Sequence, residues 1–224
     1  MTHPHSELAA WRPQLIALAA AAAGDDGAHD ASHLERVWRS AESLLAHHLD
    51  ADPLVVLAAS YLHDLVNLPK DHPERAKASR RSANLARKEL AQRGFPQDRL
   101  DAVAHAIEAH SFSAAIAPTT IEAKIVQDAD RLDALGAVGL ARMFYISGRL
   151  GRALAHPSDP LALERPLDDG AYSLDHIVVK LAQLPEMMQT EAGRAIGNAR
   201  LGKLLVFRKE FAAEWLGSAD ALAD

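Results

Sequence analysis

DPLVVLAASYLHDLV, residues 52–66, is the stretch on which the fold is read. Asp52 followed by Pro53 is a helix start: an acid able to accept from the first free N–H groups, then a proline at the first helical position, where no N–H is needed. From Leu54 onward the segment is apolar nearly all round, which predicts a central buried helix from Leu54 to about Leu65. Polarity returns at its end as His63-Asp64. An ionised carboxylate taken into such surroundings needs a partner, because leaving it bare costs several kcal/mol or more. A buried His–Asp hydrogen bond and a shared cation both satisfy that requirement.

Outward from this segment, helical signals dominate and period-two alternation is scarce. Expected helices cover Ser6–Ala22, a stretch capped by Asp30 or Ser32 and running to Leu45, Pro73 to about Arg93, Gln97–His110, and a sixth from Thr120 that kinks at Gly136 and Gly139 and continues through Phe144. Two more are expected near Leu174–Leu184 and Thr190–Leu216. Residues 148–170 are rich in Pro, Gly and Asp and read as a long loop, a class that often serves as a lid. The expectation is an all-α, compact single-domain bundle over residues 1–224, with its core at about 26–150 and the helices of 170–216 packed on it.

The 224 residues contain no cysteine, which excludes disulfides, thiolate metal sites and a cysteine nucleophile. A net charge of −6 argues against general nucleic-acid binding, and no stretch reads as a membrane span. The Ala-rich Leu15–Ala23 is read as part of a first helix, not a secretory signal, so the expected compartment is the cytoplasm. Walker-type, dinucleotide-type and nucleophile-elbow loops are absent, so any phosphate must be held by an ion and side chains.

Three separate stretches offer metal donors. His33 and Arg36 share a helix face, and His29 and His33 are spaced to chelate. His63-Asp64 is the second. The third, Gln127 to Asp133, contains Asp128, Asp130 and Asp133, and spacing does not choose among these acids. Two imidazoles with two carboxylates suit Mn, Fe, Zn, Co or Ni better than Ca or Mg alone. An ion so held lowers the pKa of a bound water and polarises a phosphoryl oxygen.

His33, then His63-Asp64, then Asp130 resembles the H…HD…D signature of the HD superfamily. The blocks SHLERVW (32–38), YLHDLV (61–66), EAHSFS (108–113), IVQDADRLDALGAVGLAR (125–142) and RPLDDGAYSLDHIVVKLAQLPEMMQTEAGR (165–194) resemble its YedJ/YpgQ-like bacterial branch. The resemblance spans most of the chain. It implies an all-helical fold with His33, His63, Asp64 and Asp130 as ligands of a divalent ion, manganese first and Fe, Co, Ni, Zn or Mg as alternatives. It implies hydrolysis of a small phosphorylated substrate, nucleoside triphosphate pyrophosphohydrolysis in particular. Nucleotide monophosphatase, phosphodiesterase and di-iron oxygenase chemistry are the alternatives, together with a non-enzymatic nucleotide sensor; a homodimer is allowed. Asp64 and Asp130 then carry the chemistry, with Asp133, like Asp128, orienting ligands or water. Asn67 and Leu68 stand where alarmone hydrolases of this superfamily place acids, which argues against that substrate.

Other candidates come from position. His110 lies on the inward stripe of Leu100, Val103 and Ile107 and is read as a site residue, whereas His105 lies off it and is read as exposed. Arg36, Asn67, Lys70, Lys77 and Arg81 are read as substrate contacts, with Arg80 in the same basic cluster. Tyr172, His176 and Lys180 are four apart in succession; Tyr172 and Lys180 complete the substrate set.

Overall fold

The structure is a computed structural model; residues 4–22, 31–68 and 72–217 are described here. Among them the chain forms nine α-helices and no strand, and the β contact present is an isolated parallel bridge between Ala153 and Tyr172. The helices are α1 (Pro4–Ala22), α2 (Ala31–Leu45), α3 (Pro53–Leu62), α4 (Ala78–Gln92), α5 (Leu100–His110), α6 (Ile121–Leu132), α7 (Gly136–Arg149), α8 (His176–Val179) and α9 (Glu191–Trp215). The chain divides after Asp130 into two compact units, residues 1–130 and 131–224.

In the first unit α3 is the axis. Every residue from Leu54 to Leu62 is buried, and α1, α2 and α5 pack around it. The start signal behaves as its chemistry requires: Asp52 accepts from the N–H of Leu54 at 2.9 Å and of Val55 at 3.4 Å, with Pro53 at the first helical position. Arg99 holds the same carboxylate at 2.6 Å and bridges to Glu7 on α1 at 2.9 Å. Leu15, Leu18 and Ala19 of α1 are buried in the core, so this Ala-rich stretch serves as a helix of the fold. The fourth helix starts later than expected. Residues 75–77 make a tighter 3-10 turn before the α-helix begins at Ala78, following Pro73, which biases its predecessor away from helical backbone.

A polar knot ties α1, α2 and α3. Glu35 accepts from Arg12 at 2.5 Å, from the Tyr61 hydroxyl at 2.5 Å and from Arg39 at 3.2 Å. Burial raises the Glu35 pKa, but the bonds from Tyr61 and Arg12 outweigh it and hold the carboxyl below its ordinary value. The same burial and the Glu35 carboxylate push Tyr61 up to about 12. A depressed acid contributes stability above its unfolded pKa, and that contribution is lost as pH falls through the folded value. Glu35→Gln is therefore expected to cost about 1 kcal/mol at pH 7, reduced by the carboxylate's partial exposure. Urea melts should show the gap between parent and variant closing below about pH 4; a gap independent of pH would refute the assignment.

The second unit departs from expectation twice. The sixth helix does not kink but ends: α6 stops at Leu132 and α7 begins at Gly136, whose φ of +72° only glycine adopts without strain. Gly139 is needed for space, because a Cβ there would overlap the Ala134 carbonyl group. Gly139→Ala is expected to destabilise by about 3 kcal/mol through backbone overpacking, read from chemical melts. Residues 174–184 do not make one helix either. They form α8 flanked by 3-10 turns, because Lys180 leaves helical backbone at φ −125° and Pro185 follows Leu184. Beyond this, α9 packs on α7 through Phe144, Phe207 and Phe211.

The long segment 148–170 is tied down within its unit. Asp175, fully buried, accepts from Arg165 at 2.6 and 2.9 Å and from the Asp168 N–H at 2.8 Å. Asp159 caps the N–H groups of Leu163 and Glu164, and Arg208 of α9 donates to the Leu161 carbonyl at 2.8 Å.

Candidate metal centre

Two histidines are built by the same local device. His63 follows the last turn of α3, and its Nδ1 faces the Ser60 carbonyl at 2.9 Å; His110 closes α5, and its Nδ1 faces the Ile107 carbonyl at 2.6 Å. A carbonyl oxygen only accepts, so each neutral ring carries its proton on Nδ1 and presents Nε2 as a lone pair. The bond also satisfies a carbonyl that a helix C-terminus leaves open. Spacing of three residues from the helix end is thus a local signal for an aimed imidazole.

The aimed atoms converge. His33 Nε2, from the first turn of α2, lies 3.3 Å from His63 Nε2. Asp64 Oδ2 is 3.6 Å from His63 Nε2. Asp130 Oδ1, from α6, is 3.6 Å from His33 Nε2 and 3.9 Å from His63 Nε2. His33, His63 and Asp64 offer donor atoms all within 4.8 Å of one another, a grouping able to hold a metal ion. Both rings are buried, while Asp64 and Asp130 stay partly open to solvent at 23% and 30% exposure, leaving an approach for a ligand.

The donor set fits a divalent ion. Two donors bound at about 2.1 Å and roughly 90–110° apart lie about 3.0–3.4 Å from each other, the separation of the two Nε2 atoms. Two neutral imidazoles with two carboxylates carry a net charge that a divalent cation cancels. Burial pulls the His63 pKa down to about 4, against the pull of Asp64, so the ring stays an uncharged donor at ordinary pH. Mixed nitrogen and oxygen donors favour first-row transition ions.

His110 sits beside this cluster. Its Nε2 is 3.6 Å from Asp64 Oδ1, and its ring packs edge-on against His63 with centroids 4.7 Å apart. Burial opposes its protonation, but Asp64 and Asp130 outweigh burial and raise its pKa. Asp64 therefore turns one oxygen to the imidazole pair and the other to His110.

Of the three acids of the third stretch, Asp130 lies at the imidazoles. Asp128 is fully buried. Asp133 belongs to the second unit, ion-paired with Arg142. The remaining sequence candidates are placed as follows. Arg36 bonds the Ser32 hydroxyl at 2.8 Å, and Asn67 accepts from Arg75 at 3.1 Å. Lys77 and Arg81 are exposed and both pair with Glu74, the solvated arrangement of a basic helix face. Tyr172 lies under the Arg165 guanidinium at 4.6 Å, His176 bonds Asp169 at 2.7 Å, and Lys180 is exposed. His105, read as exposed, is half-buried and accepts from Thr119. Lys70, His29 and Asp30 lie outside the described residues. The sequence reading missed Gln127, whose amide donates to the Ala109 carbonyl at 2.6 Å, because nothing local marks a bond across 18 residues.

Comparison with known proteins decides the family. The sequence pattern of the HD domain matches residues 30–135. A Bacillus subtilis protein, YpgQ, described as uncharacterised, is 32% identical over 190 residues, covering 83% of this chain and 84% of the relative. This chain belongs to the HD-domain family, in its YpgQ-like branch. Solved structures agree. An HD-superfamily hydrolase from Bacillus thuringiensis superposes with a TM-score of 0.71 at 28% identity, covering 93% of this chain and 98% of that one. Bacillus subtilis YpgQ in complex with ADP gives 0.68 at 27% identity, covering 94% and 96%. HD domains bind divalent metals, in keeping with the donors assembled at His33, His63 and Asp64. Among the described residues no helix is long and apolar enough to cross a membrane.

Proposed function

We propose that this HD-family chain is a metal-dependent phosphohydrolase acting on nucleotides, with nucleoside triphosphate pyrophosphohydrolysis the favoured reaction. The observation that carries it is the convergence of two buried imidazole Nε2 atoms with two half-open carboxylates. The ADP complex of YpgQ supports a nucleotide as the ligand. His33, His63, Asp64 and Asp130 hold the divalent ion, manganese by preference. When bound, such an ion acidifies a water and polarises a phosphoryl oxygen.

The chain's own residues do the rest. The Ser60 and Ile107 carbonyls keep His63 and His110 in one tautomer, so no reorientation is needed during reaction. Asp64, at the exposed edge of the cluster, is placed to accept a proton from a water at that edge. His110, hydrogen-bonded through Nδ1 and facing Asp64 through Nε2, is placed to relay it.

The test is a panel of nucleoside tri-, di- and monophosphates and cyclic dinucleotides, with the protein loaded with manganese and the products resolved. Release of pyrophosphate from a triphosphate is the expected outcome. Orthophosphate release from monophosphates, or opening of a phosphodiester, would replace the favoured reaction with one of the alternatives. Silence with every phosphate ester would end the reading.

A further inference from the structure

The C-terminal turn of α5 ends without the usual backbone device. An α-helix leaves its last four carbonyls open, and many helices close them with a left-handed residue. Here Ser111 follows with extended backbone at φ −75° and ψ 126°. Two side chains do the closing instead. His110 Nδ1 takes the Ile107 carbonyl, and the Gln127 amide takes the Ala109 carbonyl, both at 2.6 Å.

Gln127 is a costly choice for a merely structural cap. It is 3% exposed, and its amide oxygen Oε1 is buried with no hydrogen-bond partner among the described residues. A buried acceptor left unmet is a penalty that an apolar residue at the same place would avoid. What the amide provides, and an apolar side chain does not, is a directional bond to the peptide just before His110. Gln127 also stands three residues before Asp130 on α6, so the two lie on neighbouring faces of one helix. A single side chain thereby references the helix end that bears His110 to the helix that bears Asp130.

We propose that Gln127 is a positioning residue: its amide fixes the C-terminal end of α5, and so holds the His110 ring with Nε2 against Asp64. Its hydrogen bond goes to the Ala109 carbonyl, so it acts through His110. The catalytic part of this proposal rests on the hydrolase reading above; the positional part does not.

The experiment separates the two. Long-range proton–nitrogen spectra of nitrogen-labelled protein, without and with zinc as a diamagnetic probe, are expected to show the His110 Nδ1 proton as one slowly exchanging signal. In Gln127→Leu, which keeps the bulk and loses the donor, that signal should shift and its exchange quicken at least tenfold. Manganese affinity by titration calorimetry should stay within twofold. In the nucleotide assay kcat should fall about tenfold with KM within twofold, and His110→Ala should abolish any further effect of Gln127→Leu. Gln127→Met, unbranched like glutamine, is the second variant should Leu fail to fold. A His110 Nδ1 proton that exchanges freely in the parent would overturn the proposal with no variant made. So would an unmoved His110 signal in a folded variant, additive losses with His110→Ala, or a manganese affinity that falls in step with kcat. If His110 moves as expected while no phosphate ester is turned over, the positional inference stands and the hydrolase reading fails.

Discussion

Asp64→Asn is expected to reduce nucleotide hydrolysis by on the order of a thousand-fold, equivalent to about 4 kcal/mol of barrier, and to strip the purified protein of its divalent ion. The substitution preserves shape and removes charge. Asp64 Oδ2 is one of the converging donors, and Oδ1 faces His110, so both the ion and the neighbouring imidazole lose their partner in one change. The second readout is thermal. A ligand that binds only the folded state at a hundred times its Kd stabilises by about 2.7 kcal/mol. For a chain of this size that is roughly 5–10 °C in Tm. Chelation of the parent should therefore lower Tm by about that amount, and manganese should restore it. Asp64→Asn should show neither response. Elemental analysis with a melting scan checks both; a variant that keeps stoichiometric metal and full turnover would remove Asp64 from the centre.

The largest effect on stability is expected far along the chain, at Arg165→Ala. Asp175 is fully buried and accepts two bonds from Arg165 and one from the Asp168 N–H. Removing the guanidinium leaves an uncompensated charge in the interior, a change that typically costs 3–5 kcal/mol, or about 10 °C here. The Tyr172 ring loses its covering cation in the same step. Arg165→Ala combined with Asp175→Asn should recover part of the loss, because the second change takes away the stranded charge. Guanidinium melts of the single and double variants measure this; a loss under about 1 kcal/mol for Arg165→Ala would mean that Asp175 is satisfied by other means.

Much of the site was legible before any coordinates. His63-Asp64 at the end of an apolar helix demanded a partner, and His110 on the stripe of Leu100, Val103 and Ile107 pointed inward; both histidines are buried in one cluster, with Asp64 between them at its edge. The residues alone offered His33 and an acid near position 130; resemblance to the HD superfamily singled out Asp130, which the geometry brings to the His33 and His63 imidazoles. The basic cluster was less readable. Lys77 and Arg81 are the right type for phosphate, yet both pair with the single carboxylate of Glu74, and the Arg81 pairing, across seven residues in an irregular approach to a helix, has no fixed period to betray it.

What the linear chain dictated is whatever is settled within one or two helical turns. The cap at Asp52-Pro53 and the return of His63 and His110 to carbonyls three residues back follow from short-range sterics and hydrogen bonding, which are the same wherever the segment sits. Folding alone ended α6 at Leu132, divided residues 174–184 into short turns, and joined Arg165 to Asp175 and Gln127 to Ala109. Those outcomes depend on which distant surfaces meet, and one carboxylate or amide is chemically like another until its neighbours across the chain are in place.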